Sequence, residues 1–250
     1  MTEAGLWTGT ELRLWDLNHP KAAPQTVSLP DGFSEETSPN LIAGTHAAPR
    51  PLPCAALPET LASGTIPPLM QTNPLTVTRG EEVAMAGFIA LNPKFDGILC
   101  LPGAHSTLWA HVSAEEIVSM RRFLTGAMVS GALGEGLILS DEDAFKDALS
   151  DTMSRPENAA LRLASVLAEM SQNGMSKAEA ASRASAALIG AELAATRAYW
   201  LGQSVAIIGA PLPSAPYLLA LESQFVPVVL ADETEMYRAG FQLARDRISG

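Results

Sequence analysis

The chain has 250 residues, 27 acidic against 16 basic, a formal net charge of −11 and 47% apolar side chains. This supplies a sizeable core for one large or two modest domains and excludes global disorder. No Lys/Arg cluster stands out, which argues against a nucleic-acid footprint. The two cysteines, Cys54 and Cys100, are too few for a disulfide framework and fit small buried residues in a reducing compartment. The opening MTEAGLWTG has no leader pattern, and no apolar run approaches the roughly 20 residues of a membrane span. The expectation is a cytoplasmic chain with neither a nucleic-acid nor a membrane partner.

In chain order, ELRLWDL (11–17) alternates polar and apolar and predicts a strand. Eleven of the 18 prolines fall within 20–74, so that stretch predicts short strands and connections: TVSLP, NLIAG, PCAAL, TIPPL. EEVAMAGFIALN (81–92) has helical spacing, and GILCLP (97–102) is a fully apolar strand. LWAHV and EIVSM predict a hairpin through Ser113-Ala114-Glu115. Ser140 is expected to cap a helix over roughly 141–152, and Pro156 to open another that Asn173-Gly174 stops. SKAE (176–179) predicts a capping box for a long helix ending before Gly202, with a small face of Ala180, Ala184, Ala187 and Ala191. SVAIIGA, SAPYLLALES, VPVVLA and the final segment then alternate strand and helix, the order of an α/β layer with a parallel pair.

Five stretches can carry chemistry, each with a plainer alternative. Thr8, Gly9 and Thr10 form a turn able to offer N–H groups to a phosphate, or an ordinary turn; Arg13 follows on the strand, inward or as a surface charge. Arg79, Glu81 and Glu82 crowd a loop-to-helix junction. They suit an anion and a hydroxyl or hydrated metal, or simply a helix start. Gly103 and His105 follow a buried strand and can meet a phosphate. Thr125-Gly126 is an anion site or an N-cap, and Gly209 ends a strand where α/β sheets often bind ligands. His19, His46, His105 and His111 show no metal-ligand spacing, so no metal-histidine site is expected.

The order of these stretches is more specific than any one of them. TRGEE, PGAHSTLW, LTGAM, SAALIGAELA, VAIIGAPLPSAPY and then Asp232 resemble the 2-dehydro-3-deoxygalactonokinases, over about residues 70–250. Trp7, Leu12, Arg13 and Trp15 fit that family's opening D-W-G-T-[ST]-N-L-R-x-W in fragments. The resemblance implies an α/β, two-domain actin/hexokinase-like (ribonuclease H-like) ATPase fold with a reduced first domain. It implies residues 1–95 for the phosphate-1 turn and substrate side, and 96–250 for the second phosphate loop and adenosine side. The implied activity is ATP-dependent phosphorylation of 2-dehydro-3-deoxy-D-galactonate in galactonate catabolism, with ATP and Mg²⁺ as cofactors. A homodimer is left open.

Carried over residue by residue, the resemblance implies catalytic roles for Arg79, Glu81 and His105. Thr8, Gly9, Thr10, Gly103, Thr125, Gly126 and Gly209 would bind the nucleotide, and Arg13 and Glu82 the sugar acid. The departures are equally specific. Leu6 stands where the family has the aspartate that helps hold Mg²⁺, and Glu11 where it has Asn. Ala104 replaces a threonine, the lysine before Trp109 is gone, and Ala127 replaces a glutamate. The chain also lacks most of a helix expected near GFSEE (32–36). These losses define the alternative: a catalytically impaired relative that binds nucleotide, sugar acid or a protein partner without turnover.

Overall fold

The computed structural model describes residues 3–19, 21–32 and 39–248, so most of GFSEE lies outside the described residues. Strand β1 (Glu3–Trp7) turns through residues 8–10 into β2 (Glu11–Asp16), followed by β3 (Gln25–Ser28) and β4 (Leu41–Ala43). Short pieces follow: β5 (Arg50–Pro51), β6 (Cys54–Ala55), β7 (Leu69–Thr72) and β8 (Leu75–Val77), then helix α1 (Glu81–Leu91). The proline-rich stretch is thus built of short strands, as its missing N–H donors require. TIPPL is mostly connection: Thr65 makes an isolated bridge to Ile42, and its Leu69 opens β7.

Next come β9 (Gly97–Pro102), β10 (Thr107–Ser113) and β11 (Glu116–Phe123). At the β10–β11 hairpin Ala114 and Glu115 take φ of 51° and 64°, the paired left-handed residues of a tight turn. Helices α2 (Thr125–Leu133), α3 (Glu142–Ser154), α4 (Ala159–Asn173), α5 (Lys177–Ala195) and α6 (Arg197–Trp200) follow. The chain ends with β12 (Val205–Gly209), α7 (Pro211–Glu222), β13 (Val228–Asp232) and α8 (Glu233–Asp246).

One cap differs from expectation, and Ser176 caps α5 as expected. Asp141, not Ser140, accepts from the Ala144 N–H at 3.0 Å, its carboxylate being the better acceptor beside a helix N-terminus. Ser176 Oγ accepts from the Glu179 N–H at 3.2 Å, while the Glu179 carboxylate pairs with Arg183 at 2.9 Å. The long helix also breaks early, at Thr196, whose hydroxyl donates back to the Glu192 carbonyl at 2.8 Å.

The chain forms two units. Unit 1 gathers residues 1–96, 110–120 and 231–250, and unit 2 gathers 97–109 and 121–230. The sequence puts everything after residue 95 into one domain; the structure assigns the hairpin tip and the last helix to unit 1. The physical reason is the α1–α8 contact. A Cβ on Gly87 would lie 2.0 Å from the Met236 carbonyl oxygen, and one on Gly240 1.9 Å from that of Val83. Only glycine permits this approach. Trp15, fully buried on β2, lies 5.5 Å from Tyr237 and 5.4 Å from Phe241, and its indole N–H donates to the Thr234 carbonyl. Arg238, 8% exposed, donates to the carbonyls of Asp16, His19 and Ala22.

The main sheet of unit 1 runs β3-β2-β1-β4, with β1 antiparallel to β2 and parallel to β4. In unit 2, β9 is buried throughout and pairs in parallel with β12, Cys100 opposite Ile207. The core of unit 2 gathers Trp109, Phe145, Trp200 and Tyr217 with the α5 face, where Ala180, Ala184 and Ala187 are buried and Ala191 is half-buried. Gly190 lets α5 meet α3: a Cβ there would lie 2.2 Å from Thr152 Oγ1.

Candidate functional site

In unit 1 the β1–β2 turn is closed by the Thr8 N–H and hydroxyl, both donating to the Glu11 carbonyl at 3.0 and 3.2 Å. Gly9, at φ 103°, needs glycine's freedom. A cavity of about 500 Å³ opens beside it, lined by Trp7, Thr8 and Gly9 from the turn, Gly44, Thr45 and His46 after β4, and Thr78 and Arg79 ahead of α1. Three separate segments meet here because Gly44 has no side chain: a Cβ would lie 2.1 Å from the Trp7 carbonyl oxygen and 3.3 Å from that of Arg79. Thr8, Gly9 and Arg79, singled out from sequence, are thus brought together. Gly44, Thr45 and His46 were not singled out; the cue was the glycine ending NLIAG.

The neighbouring sequence candidates are engaged otherwise. The Thr10 carbonyl accepts from the Leu29 N–H at 2.8 Å. Arg13 pairs with Glu233 at 2.8 Å and lies 5.1 Å over the Trp15 ring. Glu81 accepts from the Arg79 N–H at 2.5 Å. Glu82 is fully buried; one carboxyl oxygen accepts from the Gly80 N–H at 3.1 Å and the other, Oε1, has no hydrogen-bond partner. Burial pushes its pKa up to about 7, against the Thr78 hydrogen bond, which lowers it. Leu6 is 4% exposed and packs on Gly80, where a Cβ would lie 2.1 Å from its Cδ1. A hydrocarbon in that place offers no ligand atom. Among the described residues no three His, Cys, Asp or Glu side chains form a metal-holding group.

Unit 2 contains the turn after β9. The Gly103 N–H donates to the Ser106 carbonyl at 3.0 Å, and the Ala127 N–H of α2 donates to the His105 carbonyl at 2.8 Å. Gly126 lets the turn and helix touch, since a Cβ there would lie 2.2 Å from the Ala104 carbonyl oxygen. His105 itself is exposed. Gly209 lies beside the same turn: its Cβ would meet Ser214 Oγ at 2.5 Å and Pro102 Cγ at 3.3 Å. Ser214 Oγ is buried without a hydrogen-bond partner.

Beneath the turn, Glu192 is fully buried on α5 and takes three donors. These are Trp109 Nε1 at 2.5 Å, the Tyr217 hydroxyl at 2.9 Å and the Thr125 hydroxyl. Thr107 Oγ1 extends the network to Tyr217 at 2.5 Å. Burial raises the Glu192 pKa to about 7 while the three donors pull it down. The network ties strand β10, just past the turn, to the first residue of α2. Sequence reasoning missed Glu192; its signal was a lone carboxylate in the otherwise apolar SAALIGAELA.

The two units define an α/β protein of the actin-like ATPase fold. A protein from Sinorhizobium meliloti, assigned as a 2-dehydro-3-deoxygalactonokinase, has a solved structure of this fold. It shows TM-score 0.78 and 24% identity, with 98% of this chain and 96% of that chain covered. The activator of the 2-hydroxyisocaproyl-CoA dehydratase from Clostridium difficile, solved with bound ADPNP, shares it at TM-score 0.52 and 8% identity, covering 98% and 94%. The chain belongs to the 2-keto-3-deoxy-galactonokinase family, whose model matches residues 37–244. DgoK1 of Rhizobium meliloti (strain 1021), assigned as a 2-dehydro-3-deoxygalactonokinase, is 31% identical over 179 residues, 67% of this chain. That match spans 58% of the relative's own length.

Proposed function

We propose that this chain is a cytoplasmic kinase that transfers the γ-phosphoryl group of Mg·ATP to a hydroxyl of 2-dehydro-3-deoxy-D-galactonate. The observation that carries the reading is the family membership over residues 37–244. The unit 1 cavity supports it: it places the Arg79 segment, a cation for a sugar-acid carboxylate, beside the backbone turn Thr8-Gly9. Glu82, buried with one free carboxyl oxygen, supports that side. In unit 2 the Gly103–Ser106 turn takes phosphate and Gly209, beside the buried Ser214 hydroxyl, takes the adenosine side. Phosphoryl transfer asks little covalent chemistry of a protein; alignment and charge neutralisation do most of it.

Leu6 offers no ligand atom, so the ion is written as part of the Mg·ATP substrate and no step is assigned to it. Among the described residues no helix is long and apolar enough to cross a membrane. The test is ADP release from Mg·ATP with and without the sugar acid at high enzyme concentration. Release that depends on the sugar acid is expected. Release at background in both arms would overturn turnover and leave the binding-only alternative, which a thermal-shift titration with each ligand alone would then examine.

A further inference from the structure

The turn after β9 has no Lys or Arg of its own: residues 102–108 read PGAHSTL. A polyphosphate held there needs positive charge close by, because hydrogen bonds from charged donors are roughly twice as strong as those from neutral ones. We propose that Arg122, delivered by the end of β11, is the phosphate-binding cation of this turn. The inference rests on the kinase reading above and names a side chain that none of the motif stretches contains.

Three observations carry it. Arg122 Nη1 donates to Ser106 Oγ at 2.8 Å, so its guanidinium is tied to the turn from sixteen residues away. Ser106 also closes the turn through its carbonyl, which accepts from the Gly103 N–H; the arginine is therefore fastened to the residue that shapes the backbone. Arg122 and Ser106 are both half-buried, where a charge–phosphate contact is screened less than on open surface. A guanidinium presents five N–H donors in a planar fork suited to phosphate. The next residue supplies the contrast. Arg121 is exposed and lies 5.7 Å over the Tyr199 ring, as alternation along a strand predicts for neighbours on opposite faces.

The test compares Arg122→Ala, Arg122→Lys and Arg121→Ala in full-length protein, each checked for native circular dichroism. KM for ATP and KM for the sugar acid are measured separately. Arg122→Ala is expected to raise KM for ATP on the order of ten- to a hundredfold, with little change in KM for the sugar acid. Arg122→Lys should recover part of the loss, and Arg121→Ala should stay within about twofold. An unchanged KM for ATP in Arg122→Ala, or equal losses in the two alanine variants, would overturn the assignment. If the wild-type chain shows no turnover, the kinase reading fails separately, and calorimetric titration with ADP decides the arginine. Weaker ADP binding by Arg122→Ala than by wild type supports it; equal binding, or none by wild type, overturns it.

Discussion

The two candidate regions are built by opposite means. In unit 1 the Thr8–Arg79 cavity is assembled from three distant segments, held by backbone packed on backbone at Gly44 and by Leu6 packed on Gly80. In unit 2 the Gly103–Ser106 turn follows its strand directly and is braced from below by a buried carboxylate with three donors. The first kind of site depends on shape, so removing side-chain bulk made it. The second depends on polar satisfaction, so losing one acceptor strands several donors.

That contrast can be broken from either side. The largest expected effect is in unit 1. Trp15→Ala removes the indole packed on Tyr237 and Phe241 and should cost about 3–5 kcal/mol, read by urea unfolding. Hydrogen exchange should show the loss concentrated in α1 and α8. In unit 2, Glu192→Ala leaves Trp109, Thr125 and Tyr217 without their acceptor and should cost on the order of 3 kcal/mol. Glu192→Gln keeps an acceptor oxygen and should cost about 1 kcal/mol. Equal losses for Ala and Gln would show that volume, not hydrogen bonding, braces the turn.

Arg79→Ala should leave stability near wild type, because the side chain is exposed, and raise KM for the sugar acid about tenfold or more. A matching rise in KM for ATP would move Arg79 to the phosphate side.

The last effect is a pH trend. Glu82 and Glu192 are each raised from 4.5 to about 7 by burial, so the folded chain binds more protons than the unfolded chain between those values. The stability they contribute is full below pH 4.5 and is lost as pH rises through about 7. Thermal melts between pH 5 and 8 should show this decline, and Glu192→Gln should flatten it. A melt that is independent of pH in wild type would contradict both assignments.

Local signals carried most of the fold. Alternation gave β2, helical spacing gave α1, and Gly174 and the left-handed hairpin residues sit where turn chemistry demands. Long-range contacts were not legible. Nothing near 233–246 says that this helix packs on α1; that follows from Gly87 and Gly240 meeting across 153 residues. The sites divide the same way. Thr8, Gly9, Arg79 and Gly103 announce themselves as turn residues. Arg122 reads as one strand cation beside another; its partial burial and its bond to Ser106 separate it from the exposed Arg121.

The central claim, that this chain phosphorylates a sugar acid, is tested most directly by ³¹P NMR of wild-type enzyme with Mg·ATP and 2-dehydro-3-deoxygalactonate. The account predicts a new phosphomonoester resonance growing in step with ADP, and its absence when the sugar acid is left out. ATP signals that persist unchanged with both substrates present would contradict it.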